Sequence, residues 1–183
     1  MDRAEQLCRA AQDGDREAAS ELVQLSYEKV FAYFRRLCGH EEDAADLTQK
    51  TFRKAWLSLS SFQGRSSFST WIHAIAHHVY VDWRRAKAPP ISQSEQWWRA
   101  QPDSAPGPFE SAAQRDAAAH IYALVEKLDE EAREAVHLHY YQGLTLDQTA
   151  EVLSIAVSTV KYRLRRALEF LRDHVDQPSR TLK

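Results

Sequence analysis

Residues 145–171 read TLDQTAEVLSIAVSTVKYRLRRALEFL, and the fold follows from how this stretch divides. It reads as two helices with a tight break between them. The Thr145 hydroxyl can cap the first helix while Gln148, three residues on, reaches back, a capping-box pattern. Gly143 just upstream is where a preceding helix would end. The break falls at Ser154, Ile155 and Ala156, and the second helix then carries Val160, Leu164, Leu168 and Leu171 on one face. The opposite face presents Ser158, Tyr162, Arg165 and Arg166, with Lys161 on its flank. A short helix followed by a longer one with a basic outer face is a helix-turn-helix with a recognition helix. Such a helix fits the major groove, where Arg and Lys reach guanine acceptors and Tyr or Ser reach base edges or phosphate. The run KYRLRR by itself would suit any solvated helix; capping, turn and single-face leucines together favour DNA.

Composition bounds the remainder. The chain has 183 residues, enough for one large or two small domains. Its formal net charge of −2 means that DNA affinity must come from local patches, which leaves acidic surface for a partner other than DNA. No 18-residue apolar run occurs, and the N-terminal MDRAEQLCRAAQDGDREAA is charged and helix-forming, unlike a signal peptide. A cytoplasmic protein without a membrane role is therefore expected. Cys8 and Cys38 lie in helical patterns and read as thiols, not as a disulfide.

With only five glycines and no sustained strand-like alternation, the chain reads as all-α. The first helices are expected over Arg3–Gln12 and Arg16–Cys38, the second burying Leu22, Leu25, Val30, Phe34 and Leu37 and stopped by Gly39. Glu41, Glu42 and Asp43 load the first turn of the next helix, roughly 42–59, at the positive end of its dipole. There Ala44, Thr48, Phe52 and Ala55 fall on the buried arc. Asp46, Gln49, Lys50 and Arg53 cluster opposite, with Thr51 at the edge between. The loop SSFQGRSS at 60–67 leads into a helix at about 69–87 that buries Ile72, Ile75, Val79 and Trp83. His73, His77, Tyr80 and Arg84 are expected on its far side, a mixture of aromatics and cations suited to stacking bases and gripping phosphates.

His73 with His77, and His137 with His139, have loose metal-ligand spacing, but no Cys, Asp or Glu completes a set, so no metal is expected. No Ser/His/Asp order, glycine-rich phosphate loop or nucleophile elbow suggests an enzyme or a cofactor site. Residues 88–112 break the helical pattern with Pro89, Pro90, Pro102, Pro106 and Pro108 and read as a flexible linker, in which Trp97 and Trp98 should dock somewhere. A second helical domain follows at 113–176, with helices near 113–128 and 130–142 ahead of the opening pair; 177–183 is a tail.

Three segments carry a resemblance. DAADLTQKTFRKAW at 43–56 resembles DAEDLVQETFLRAW. SFQGRSSFSTWIHAIAHHVYVDWRR at 61–85 is similar to SFRGESSFSTWLYRIARNLALDHLR. LTLDQTAEVLSIAVSTVKYRLRRA at 144–167 resembles LSYEEIAEILGISRSTVKSRLRRA. All three belong, in this order, to the bacterial extracytoplasmic-function (group 4) sigma factors of the sigma-70 family. The resemblance implies sigma domain 2 at 1–87, the linker at 88–112 and sigma domain 4 at 113–176. It implies docking of the first segment on the clamp helices of the largest subunits of core RNA polymerase, through Asp46 and Gln49 with Lys50 and Arg53 beside them. It implies capture of the melted −10 promoter element by Phe62, Gly64 and Arg65 with His78 (where the family often has Asn) and Arg84. Ser158, Lys161, Tyr162, Arg165 and Arg166 would read the −35 element in duplex DNA. Such a factor does no chemistry, and an anti-sigma factor is a further partner it implies.

Departures from the pattern matter as much. Ser154 replaces the usual turn glycine, so a left-handed backbone there would carry strain. Ala156 stands where a capping Ser is common. Ala45 and Lys50 replace acids, so the docking surface has lost negative charge. This resembles a subgroup that lacks those acids and is paired with Ser/Thr kinases. Phosphorylation of Thr51 would add a charge of about −1.5 to −2 beside Lys50 and is expected to restore docking, with Thr48 the weaker candidate. Two rivals remain: a helix-turn-helix regulator with a helical sensing domain that acts without polymerase, and a histidine-based metal protein.

Overall fold

Short polar breaks cut a helix-forming sequence into rods. The structure, a computed structural model, describes residues 3–87 and 112–175, and in the second stretch the side chains from Ala118 onward. The expected linker at 88–112, with Trp97 and Trp98, lies outside the described residues except for its last position, and the tail beyond 176 lies outside them altogether. The described residues form helices and turns with no strand, in two compact units.

The first unit holds α1 (Arg3–Gln12), α2 (Arg16–Cys38), α3 (Glu41–Ser58), a 3₁₀ turn (Leu59–Ser61) and α4 (Phe68–Lys87). Asp15 caps α2 by accepting from the amides of Glu17 and Ala18 at 2.9 and 3.1 Å. Gly39 closes it with φ +74°, a left-handed turn that costs glycine least. Glu41, Glu42 and Asp43 open α3, favourably placed against its dipole. α2 packs on α1, α3 and α4, and α3 packs on α4. Their shared core includes Val30, Tyr33, Phe34, Leu47, Ile72 and Ala76, each no more than 1 % exposed. Burial pushes the Cys8 thiol of α1 above its ordinary pKa.

Three expectations are corrected here. His73 and Tyr80 do not face outward: both are buried, and His73 meets the Tyr33 ring edge-on at 5.9 Å. The apolar arc of α4 is centred on Ala76, which brings His73 and Tyr80 in and leaves Ile75 and Trp83 half-buried. Leu25 is exposed on α2. Thr51 is not at an edge either. It is fully buried, because it lies seven residues, two turns, after Ala44 and so sits between Leu47 and Ala55 on the same face.

The helices from residue 112 onward, which make up most of the second unit, are α5 (Ala112–Val125), α6 (Glu130–Val136), α7 (Leu146–Leu153) and α8 (Val157–Val175), with α5 and α6 packed on α8. The helix expected over 130–142 ends in a π-helical turn, His137–Tyr141, where Gln142 N–H reaches the His137 carbonyl at 2.9 Å. This turn keeps His137 fully buried, 3.7 Å from the Glu126 carboxylate, while Arg133 donates to the Glu126 carbonyl at 3.3 Å.

Candidate nucleic-acid interface

The helix-turn-helix forms as its residues dictate. Thr145 and Gln148 cap reciprocally: the Gln148 amide donates to the Thr145 hydroxyl at 3.2 Å, and the Thr145 amide donates to the Gln148 side-chain oxygen at 2.8 Å. Gly143 turns the chain with φ +71°. Ser154 adopts φ +55°, the left-handed conformation that its lack of a glycine made costly. Along α8 the buried stripe is Val160, Leu164 and Ala167, with Leu171 half-buried; Leu168, expected on it, is 39 % exposed. A repeat of four then three follows the helix period, so position 167 takes the inner place and 168 turns out. Ser158, Lys161, Tyr162, Arg165 and Arg166 are all exposed. The Arg166 guanidinium lies 5.9 Å from the Tyr162 ring centre and 3.2 Å from Asp129, the residue that caps α6 through the Ala132 amide. Arg163, one turn before Arg166 on the flank of that face, is held by Glu131 at 2.9 Å.

The loop between α3 and α4 is built for exposure at its tip. The Phe62 ring packs on Trp71 at 5.0 Å and on Phe68 at 6.1 Å. Ser67 closes the far end, accepting from the Thr70 amide at 3.1 Å. Between them Gly64 turns with φ +69°, and exposed Arg65 donates to the Gln63 side chain at 2.5 Å. His78 and Arg84 are both exposed on α4, six residues apart and so on different sides of the helix. The Arg84 guanidinium lies 5.8 Å from the Tyr80 ring centre.

On α3, Asp46, Gln49, Lys50 and Arg53 are exposed together. Lys50 reaches back one turn to Asp46 at 2.6 Å, neutralising the acid that this face retains. Thr48 and Thr51 point inward, their hydroxyls donating to the Ala44 and Leu47 carbonyls at 2.7 and 2.8 Å. An apolar groove between α3 and α4, lined by Leu57, Val79 and Trp83 and rimmed by Lys50, Arg53 and Lys54, adjoins that face. No group of three His, Cys, Asp or Glu side chains able to hold a metal occurs among the described residues.

The Sigma-70 region 2 family matches residues 22–89, and the Sigma-70, region 4 family matches residues 119–171. The chain is 31% identical over 189 residues to the RNA polymerase sigma-H factor of Pseudomonas aeruginosa, covering 97% of this chain and 96% of that one. It is 31% identical over 156 residues to the RNA polymerase sigma factor YlaC of Bacillus subtilis, covering 83% and 88%. Among solved structures, CnrH in complex with the cytosolic domain of CnrY matches with a TM-score of 0.70 and 25% identity, covering 96% of this chain and 98% of that one. The chain belongs to the extracytoplasmic-function sigma factors. It is a transcription initiation factor of the alternative-sigma type, and its second unit carries the DNA-binding region 4.

Two features of this sigma factor escape sequence reading. Asp129 both caps α6 and holds Arg166; the acids after it signal a helix start but not a partner 37 positions away (129 to 166). Gln12, on α1, donates to the Leu59 and Phe62 carbonyls at the start of the loop before α4, and nothing in its sequence neighbourhood marks it.

Proposed function

We propose that the sigma factor docks on the clamp helices of core RNA polymerase through Asp46, Gln49, Lys50 and Arg53. In this reading Phe62, Gly64, Arg65, His78 and Arg84 hold the opened −10 strand, and Ser158, Lys161, Tyr162, Arg165 and Arg166 read the −35 duplex. The observation that carries it is the outer face of α8, where these five side chains are exposed together behind a capped helix and a tight turn. Action on core RNA polymerase puts the factor's proposed place of work in the cytoplasm. In vitro transcription with purified core polymerase, on duplexes selected from a random pool by the holoenzyme, tests the reading. Initiation from those duplexes is the expected result. A factor that never redirects core enzyme, or that footprints DNA as a dimer without polymerase, would favour the helix-turn-helix regulator instead.

Regulation is proposed at the same docking helix. Ala45 and Lys50 leave its surface poor in acid, and the Lys50–Asp46 pair lowers it further, so added negative charge should strengthen docking. A Ser/Thr kinase acting on Thr51 would supply such charge only from an opened α3, because the hydroxyl is enclosed and bonded to Leu47. An anti-sigma factor is the other proposed regulator, by likeness to CnrH, whose structure holds CnrY.

A further inference from the structure

We propose that Gln12 is a positioning residue for the strand-capture loop, fixing where its exposed tip stands; this rests on the reading of residues 62–65 as that loop. A side-chain amide nitrogen has two hydrogens, and both find acceptors here: the Leu59 carbonyl at 2.8 Å and the Phe62 carbonyl at 2.7 Å. Those carbonyls bracket the 3₁₀ turn, and the Leu59 carbonyl also receives the Phe62 amide at 3.0 Å. The donor reaches them from 47 and 50 residues away, so it ties α1 to the loop and does not form a local turn.

The base of the tie is itself fixed. Cys8 and Ala11 seat α1 in the core at 1% and 5% exposure, and Gly14, with φ +97°, closes the helix end by donating to the Ala11 carbonyl. The loop is thus held at Leu59 and Phe62 by Gln12, at Phe62 by Trp71, and at Ser67 by its cap on α4. Gln63, Gly64 and Arg65 are left exposed between fixed ends. An unpaired base must meet a loop already in place, since ordering the loop on contact would subtract from the binding free energy. α1 precedes residues 22–89, the segment matched to region 2, so the tie is additional to that segment.

The test uses the full chain in holoenzyme on a duplex selected by the wild-type holoenzyme, with 2-aminopurine in the −10 region reporting strand opening. Gln12→Glu keeps size but has no donors, Gln12→Ala removes the group, and Gln12→Lys keeps an ammonium that can donate to both carbonyls. The Glu and Ala variants should open about tenfold more slowly, as loss of two modest hydrogen bonds implies. The Lys variant should open near the wild-type rate, while core binding and closed-complex binding stay unchanged in all three. Opening at the wild-type rate in Gln12→Glu overturns the proposal. So does a loss of core binding in step with opening, which would mark a purely structural tie. Arg65→Ala and Gly64→Val separate the two layers. If they too leave opening unchanged, the loop reading itself fails and the proposal with it; if they slow opening while Gln12→Glu does not, only the tie fails.

Discussion

Ser154 holds its backbone at φ +55° at the turn on which the orientation of α8 depends. A residue with a Cβ pays roughly 1 kcal/mol in that conformation, and glycine does not. Ser154→Gly should therefore raise the stability of the second unit by about 1 kcal/mol, less what glycine's freer unfolded chain takes back. Thermal unfolding checks it, and an unchanged or lower midpoint would mean the turn is relaxed as it stands. Thr51 poses the opposite problem. Its methyl packs inside and its hydroxyl has a partner, so Thr51→Val should be tolerated while Thr51→Glu forces a carboxylate into a fully buried position. Circular dichroism melting should show the Glu variant much less stable than the Val variant. If instead Thr51→Glu is as stable as wild type and binds core polymerase more tightly, α3 opens readily and the kinase switch at Thr51 gains direct support.

At the scale of the element, the proposed reading divides recognition between α3, for polymerase, and α8, for DNA. Lys50→Glu breaks the pair with Asp46 and turns one cation into an acid on the docking face without touching the core. Core-polymerase binding should tighten and its salt dependence steepen, since exposed charges act through a screened field; weaker binding would show that the docking partner is not basic. On α8, Arg166→Ala should weaken −35 binding by about 1–3 kcal/mol and relax preference at one position if the side chain reads a base. A uniform loss over all sequences marks a phosphate contact. These elements were legible because their signals are local: a Thr and Gln three residues apart, a glycine after a helix, acids in a first turn. What was not legible depended on which of two neighbouring arcs a helix buries. For α4, His73 and Tyr80 look as polar as His77 and Arg84, yet both are buried, His73 against the Tyr33 ring of α2. For α3, two alanines and two threonines outline the same arc, and the charged residues beside Thr51 give it the look of an edge residue although Ala44 stands two turns before it. Gln12 and Asp129 stayed hidden because their partners are distant in sequence.

At the scale of the molecule, charge bears on how the two proposed DNA sites would act together. A net charge of −2 gives no general attraction to DNA, and each unit offers only a small patch: five exposed side chains on α8, three of them cations, and a loop with α4 in the first unit. Two weak sites on a single chain become strong together, because once one is engaged the other is presented at an effective concentration in the millimolar range. A protease site placed in the segment between Lys87 and Ala112 makes this testable without altering either unit. Cleavage of the purified holoenzyme's sigma factor should leave docking of the first unit largely intact. Promoter occupancy, read by footprinting, should fall by about 10²–10⁴ at nanomolar protein, the range tethering supplies. Adding the freed second unit at roughly millimolar concentration should restore it, because mass action then replaces the tether. Occupancy that survives cleavage would mean that polymerase itself holds the second unit, and that the connection contributes order along the chain instead of affinity.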